Sequence, residues 1–426
     1  MELSKRAMSI KASTTMAISS KAAEMKAAGL PVVTFGAGEP DFNTPEHIRQ
    51  AGIDAINNGQ TRYTPAAGTP ALSQAVCDKL KKDNGLDYEP AQIVISNGAK
   101  HSLMNTFMAI LNEGDEVIIP APFWLSYSEM VRIAGGVPVI IYTKKENQFM
   151  MTKEELEQAY TEKTKAIVLT SPSNPTGQVM SKDDLQMIAD FAVSHDIFVL
   201  ADEIYEKLIY NGKEFCSIAS LSDYLKEHTV IINGVSKTYS MTGWRIGYLA
   251  APENLAKAIS SMQSHTTSNA CSISQFASVT ALTSPESAPF IEKMVKTFDE
   301  RRKYIVNFVK EIKGLTCAEP DGAFYVFIDV SAFYGKTYKG EKIEGSLSFS
   351  EALLKKGVAV IPGVCFGDDN AIRLSSSVAL EDIKEDMSIS DNFSESLLSS
   401  IEYTRLPADS SACVKYPPAE PGERSK

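Results

Sequence analysis

The chain has 426 residues, 44% of them hydrophobic and 22% charged. That is ordinary globular composition and room for two or three domains, or one large and one small. Lys plus Arg number 42 against 53 Asp plus Glu, a net charge of −11, which opposes nucleic acid and anionic membranes as partners overall but leaves room for a local basic pocket.

Six scattered cysteines (Cys77, Cys216, Cys271, Cys317, Cys365, Cys413) and five histidines show no zinc-ligand, CxxC or HExxH spacing. No metal site is expected, and the cysteines read as buried small hydrophobes in a reducing compartment. No apolar run approaches the ~18 residues of a membrane span, and none follows the charged start, so the expectation is a soluble cytoplasmic protein.

Along the chain, residues 1–44 are too short to fold alone and are expected to pack on a smaller domain. From 45 to 289, short apolar runs alternate with helix-like stretches. Ile93–Ser96 predicts a strand, and Lys100–Leu111 a helix, with Leu103, Phe107, Ile110 and Leu111 at helical spacing. Asn112-Glu-Gly-Asp115 stops that helix. Glu116–Ile119, Val139–Tyr142, Ala166–Thr170, Ile197–Ala201, Val230–Asn233 and Ile246–Ala250 continue the strand series. Many are apolar at every position, the pattern of strands covered on both faces. The expected class is therefore α/β, a mainly parallel sheet between helices. Near residue 290 the character changes. A charged helical pattern, Phe290–Ile312, precedes strand candidates Ala323–Asp329, Val358–Ile361 and Ile372–Ser375, together a smaller α+β domain over 290–395. Periodicity weakens over Glu381–Glu395, and 396–426 reads as a poorly ordered tail.

Five stretches carry chemical potential. Ser171-Pro-Ser-Asn-Pro-Thr-Gly177 follows a strand; it is a rigid turn at the edge where open α/β sheets bind ligands, and a plain turn explains it equally well. Asp202-Glu203 closes another strand, where a carboxylate can hold a cation or protonated ring nitrogen, or simply cap a following helix. Asn233–Gly247 concentrates Lys237, Ser236, Arg245 and three glycines. A sheltered lysine can act as an amine nucleophile once its reference pKa of ~10.4 is lowered, and a hydroxyl and a guanidinium can hold a phosphate. An isolated lysine is ordinarily a surface residue, but the density of special residues here weighs against that. Ser96-Asn-Gly-Ala-Lys100 joins strand to helix and offers backbone N–H groups to an anion, without the P-loop pattern. Gly36 and Gly38 miss the dinucleotide fingerprint because Asp41 stands at its third glycine. Arg373, inside an apolar strand, must meet a protein acid or a carboxylate ligand.

Together these motifs resemble the fold-type I enzymes that use pyridoxal 5′-phosphate (PLP), in the aspartate aminotransferase family, over about residues 5–385. Ala37-Gly-Glu-Pro-Asp41, Tyr63, the 96–100 loop, Trp124, Asn174–Gly177, Asp202-Glu-Ile-Tyr205, Ser236-Lys237, Gly243–Gly247 and Arg373 stand in the family's order. The resemblance implies a large PLP-binding domain with a mainly parallel sheet plus a smaller α+β domain. It implies that Lys237 carries PLP covalently and shuttles the Cα proton, while Asp202 pairs with the pyridine nitrogen. Asn174 and Tyr205 would bond the ring's 3′-oxygen, and Trp124 would stack on the ring, with Trp124 and Asn174 also facing substrate. Gly98, Ala99, Ser236 and Arg245 would hold the phosphate. Tyr63 would reach the phosphate of a neighbouring subunit, which requires a homodimer. Arg373 would take the substrate α-carboxylate with the Gly38 backbone beside it. The implied reaction is ping-pong transfer of an amino group between amino acids and 2-oxo acids.

For the side-chain carboxylate many family members use an arginine, which the stretch Ser261–Ser268 lacks. Lys100 stands where a bacterial subgroup uses lysine; a further phosphate contact is the plainer role for it. Lys11 matches a lysine linked to prephenate use, or is a surface charge. The reading favours L-aspartate and 2-oxoglutarate, and leaves room for prephenate or glutamate. Alternatives are another PLP reaction on the same scaffold (an aromatic or alanine aminotransferase, a carbon–sulfur lyase or a cyclopropane-carboxylate synthase) and, more distantly, a non-enzymatic regulator. The regulator would need a DNA-binding segment that the sequence does not offer, and a nicotinamide dehydrogenase would need the missing glycine fingerprint.

Overall fold

The computed structural model describes residues 14–384 together with 2–4, 7, 8 and 10; Lys11 and residues 385–426, including the expected tail, lie outside the described residues. The strands are β1 (Val33–Thr34), β2 (Ile93–Ser96), β3 (Glu116–Ala121), β4 (Val137–Tyr142), β5 (Thr164–Thr170), β6 (Phe198–Asp202), β7 (Thr229–Gly234) and β8 (Gly247–Ala250). They continue with β9 (Thr316–Cys317), β10 (Tyr325–Asp329), β11 (Thr337–Tyr338), β12 (Glu341–Lys342), β13 (Val358–Ala359), β14 (Ile361–Pro362) and β15 (Ala371–Ser375).

A seven-stranded sheet runs in the order β2-β8-β7-β6-β5-β3-β4. Its neighbours are parallel except around β8, which is antiparallel to both β2 and β7. The continuous apolar runs follow from cover on both faces. Val117 and Ile119 pack with Leu103 and Phe107 of the helix Ala99–Ile110. Ile118, between them, points the other way, to Leu185 and Ile188 of the helix Lys182–His195. Each such side chain contributes about 1.5–3 kcal/mol of burial. The outer strand β4 lacks that cover at its ends, where Val137 and Tyr142 are exposed.

Local signals agree with the packing. Ser181 accepts from the Asp184 N–H while Asp184 accepts from the Ser181 N–H, a reciprocal cap that starts the helix Lys182–His195 and stabilises it by about 1 kcal/mol.

A second, antiparallel sheet has the order β14-β15-β10-β9, backed by the helix Ser287–Glu311 through Ile305, Val306 and Val309. β1 pairs in parallel with β13, and Ala22 and Val32 pack on Leu354 and Ala359. The expected single strand Val358–Ile361 is two strands in different sheets. Val358–Ala359 pairs with Val33–Thr34, whereas Ile361–Pro362 pairs with Ile372 and Arg373. An unbroken apolar run cannot show that its halves have different partners. Of the cysteines expected to be buried, Cys77 is; Cys271 is exposed, and Cys216, Cys317 and Cys365 are half-buried.

Candidate active site

Sheet register fixes where the site forms. Ser96 lies opposite Gly247 and Gly247 opposite Gly234, so the loops after β2 and β7 and the loop before β8 share one edge. Thr170 lies opposite Asp202 at that same edge. The second sheet supplies Arg373, at the centre of β15 opposite Phe327 and Ile361. Between them opens a cavity of about 500 Å³. Its walls bring together Gly38, Ala99, Lys100, Trp124, Asn174, Asp202, Tyr205, Ser236, Lys237, Arg245 and Arg373. Tyr63, by contrast, is 90% exposed and is not part of this wall.

Asp202 is buried at the end of β6. Burial pushes its carboxyl up to about 6, opposed by hydrogen bonds from the Tyr127 hydroxyl (2.5 Å) and the Ile204 N–H (3.3 Å) and by the Lys237 charge. It caps the turn at 204–207 rather than a helix. Lys237 Nζ donates to the Gly38 carbonyl at 2.5 Å. Burial pushes its ammonium down to about 8; Glu39 pulls it up, and Arg373 and Arg245 push it further down.

Arg373 donates to Asn174 Oδ1 at 3.0 Å and to the Gly36 carbonyl at 3.1 Å. Its Nε is buried with no partner, and its guanidinium lies 4.4 Å from the Tyr325 ring centre and 5.0 Å from that of Phe366. Among the described residues no acid pairs with it. The alternative of a structural salt bridge therefore falls away, and a desolvated cation is left facing the cavity. The glycine carbonyl on Arg373 is that of Gly36, while Gly38 meets Lys237.

The opposite corner suits an anion. Gly98 precedes the helix Ala99–Ile110 with φ 85°, and a Cβ there would lie 2.2 Å from Arg245 Nη2. A Cβ on Gly247 would lie 2.1 Å from the Ala99 nitrogen. These two glycines let the Arg245 guanidinium and β8 close on the first turn of the helix, whose N–H groups have no intrahelical partner, and Ser236 lines the same cavity. Arg245 is anchored by bonds to the carbonyls of Thr242 (2.9 Å) and Asn97 (3.3 Å). Lys100 Nζ stands 4.8 Å over the Trp124 ring, and burial and then Arg245 lower its pKa. A lysine able to release its proton, a buried acid, an anion corner and an unpaired arginine together suit amine chemistry on a carboxylate-bearing substrate.

Residues 31–386 match the family model for aminotransferase class I and II. The chain belongs to that family. This aminotransferase is 46% identical over 385 residues to the aspartate aminotransferase of Geobacillus stearothermophilus, covering 89% of this chain and 96% of the relative. It is 44% identical over 379 residues to the aspartate/prephenate aminotransferase of Cereibacter sphaeroides, covering 88% and 94%. The crystal structure of an aspartate aminotransferase from Rhizobium meliloti superposes with a TM-score of 0.89 at 42% identity, covering 93% of this chain and 99% of that one. The architecture is thus fold type I, as the motifs imply.

Two residues of the aminotransferase's site have no signal in the sequence. Tyr127 sits on the short helix Ser126–Ile133 and reads as an ordinary apolar-face aromatic, yet it bonds Asp202 and Thr170. Tyr325 belongs to a strand of apolar residues, yet its hydroxyl meets that of Tyr205 at 2.9 Å. Among the described residues no group of His, Cys, Asp and Glu could hold a metal, and no helix is long and apolar enough to cross a membrane.

Proposed function

We propose that this aminotransferase transfers the amino group of L-aspartate to 2-oxoglutarate with PLP as cofactor, giving oxaloacetate and L-glutamate, and that it works as a homodimer. The observation that carries the reading is the placement of Lys237, Asp202 and the acid-free Arg373 around one cavity. The chain's own groups suit PLP. The corner at Gly98, Ser236 and Arg245 takes the phosphate, and Asp202, destabilised as an anion by burial, gains from a protonated ring nitrogen. Asn174 and Tyr205 offer hydrogen bonds to the ring oxygen, and Trp124 offers a ring face.

PLP, when bound, supplies the electron sink that makes the Cα proton of an amino acid removable. The rest is done by side chains. Arg373 binds the α-carboxylate, with its unpaired Nε as one donor of a two-point contact. Lys100, which lines the cavity beside Trp124, takes the side-chain carboxylate. Lys237, lowered towards neutrality, can accept the Cα proton and return it to the carbon on the far side of the substrate nitrogen. Both half-reactions use this one site, so the first product leaves before the second substrate enters. Tyr63, which stands outside the cavity of its own chain, is assigned to the phosphate corner of the partner subunit. Prephenate is a second acceptor in this reading, supported by the prephenate-using relative. The reading also includes a larger unit over 45–289, a smaller one over 290–395 with 1–44 against it, and a cytoplasmic setting.

The test is the visible absorbance of the purified protein before and after L-aspartate, with Lys237→Ala as control. A cofactor band that changes with aspartate and returns with 2-oxoglutarate is expected. A band that ignores aspartate but answers another amino acid moves the specificity, and no band even after adding PLP sinks the enzymatic reading.

A further inference from the structure

We infer that Tyr325 is a positioning residue that locks Tyr205 and Arg373 into one geometry, an inference that rests on the function proposed above. Tyr325 is the first residue of β10 and is 2% exposed. In the β10–β15 register Phe327 lies opposite Arg373, and Tyr325, two residues earlier, is on the same face. Its ring thereby underlies the guanidinium at 4.4 Å. Its hydroxyl meets Tyr205 at 2.9 Å, and among the described residues the Tyr205 hydroxyl has no other hydrogen bond. The backbone of Tyr325 serves the same purpose. A Cβ on Gly177 would lie 3.0 Å from the Tyr325 carbonyl oxygen, so the turn that carries Asn174 packs on it, and Asn174 in turn holds Arg373.

Proton inventory sets the direction of the contact. Each phenol has one proton. When Tyr205 spends its proton on a cofactor oxygen, it can only accept from its neighbour, so Tyr325 becomes the donor. A donor behind Tyr205 polarises it and strengthens its outward bond. The ring of Tyr325 meanwhile favours the desolvated Arg373 cation. One side chain thus ties the carboxylate end of the site to the end that tunes Lys237.

Two variants separate these contacts, read in the holoenzyme by the pH titration of the bound cofactor's absorbance and by the Kd for maleate, a dicarboxylate with no amino group. Tyr325→Phe keeps the ring and removes the donor. Tyr205 then stabilises the cofactor oxygen less, and the nitrogen on Lys237 holds its proton to higher pH, by up to about one unit, while maleate Kd stays within about twofold. Tyr325→Leu removes the ring as well, and maleate binds about 3- to 30-fold more weakly. A Tyr325→Phe holoenzyme that titrates like the wild type overturns the inference, and so does an equal loss of maleate affinity in both variants. Tyr325→Phe carries the test alone if Tyr325→Leu does not fold. Wild-type protein that titrates but ignores aspartate sinks the substrate reading and leaves this one standing; wild-type protein that answers aspartate while Tyr325→Phe titrates normally sinks this one alone.

Discussion

Tyr127 and Asp202, 75 positions apart in the chain, share a hydrogen bond of 2.5 Å inside the core. The bond opposes the upward push of burial on the carboxyl, and the Tyr127 hydroxyl is held in place by Thr170 at 2.8 Å. Tyr127 thus favours the ionised form of an acid at the floor of the cavity.

Tyr127→Phe removes that donor and leaves the ring. The Asp202 pKa should rise further above its present value of about 6, and affinity for PLP should fall about 10-fold, the value of one hydrogen bond to a charged group. Cofactor titration followed by absorbance checks this. Unchanged affinity would mean that the bond does not control the ionisation of Asp202.

Arg373→Lys keeps a charge and loses the fork. A lysine cannot satisfy Asn174 and Gly36 while presenting two donors to a carboxylate. We expect kcat/KM for aspartate to drop at least ~100-fold, mostly through KM, since each charge-assisted contact is worth ~1.5–3 kcal/mol. Steady-state kinetics decide, and a drop below tenfold would place the α-carboxylate elsewhere.

What the sequence made legible follows from how each residue depends on its neighbours. Strands such as β2 and β7 are covered on both faces, so an unbroken apolar run announces them. Asp202 and Arg373 stand out because a charge at the end or centre of an apolar strand needs a reason nearby, Asn174 because two prolines and a glycine make its turn rigid, and Lys237 because of the density of special residues around it. Tyr127 and Tyr325 give no such sign. Their importance comes from contacts across distant parts of the chain, and a tyrosine in an apolar face looks like packing. The split of Val358–Ile361 between two sheets is hidden for the same reason, because each half owes its place to a remote strand.

Lys237 also sets a stability slope in the cofactor-free protein. Unfolded lysine keeps its proton to about 10.5, whereas folded Lys237 releases it near 8. Between these values the unfolded chain binds more protons, so stability from this group rises with pH and is lost as pH falls through 8. Lys237→Met should therefore exceed the wild type in urea resistance at pH 7, by up to about 3 kcal/mol. The gap should close by pH 10.5. A gap that stays constant with pH would show that burial of the charge is not its source. Glu203, raised to about 8 by burial and then by Glu206, contributes the opposite slope below that pH in both proteins and cancels in the comparison.

Lys100→Ala tests the side-chain carboxylate. The ammonium stands over the Trp124 ring at the cavity wall and has no acid partner among the described residues. Its loss should lower kcat/KM for aspartate about 10- to 100-fold, the value of one charge-assisted bond, and change that for alanine less than about threefold. Measured with both amino acids, an unaltered preference would return Lys100 to the role of a phosphate contact.

Gly98→Ala asks whether the anion corner depends on close approach. At φ 85° an alanine is strained, and its methyl would stand 2.2 Å from Arg245 Nη2. The guanidinium is the far end of a long side chain, so it can move, and moving it breaks its bond to the Asn97 carbonyl. The fold should therefore survive, with a loss of about 1–2 kcal/mol from backbone strain. Phosphate affinity should suffer more, because the displaced cation no longer stands against the helix N-terminus. A PLP Kd at least tenfold weaker, with a melting temperature lowered by only a few degrees, is the expected pair of results. Normal PLP affinity in a folded Gly98→Ala protein would show that Arg245 reaches the phosphate from another position, and that the glycine serves the turn alone.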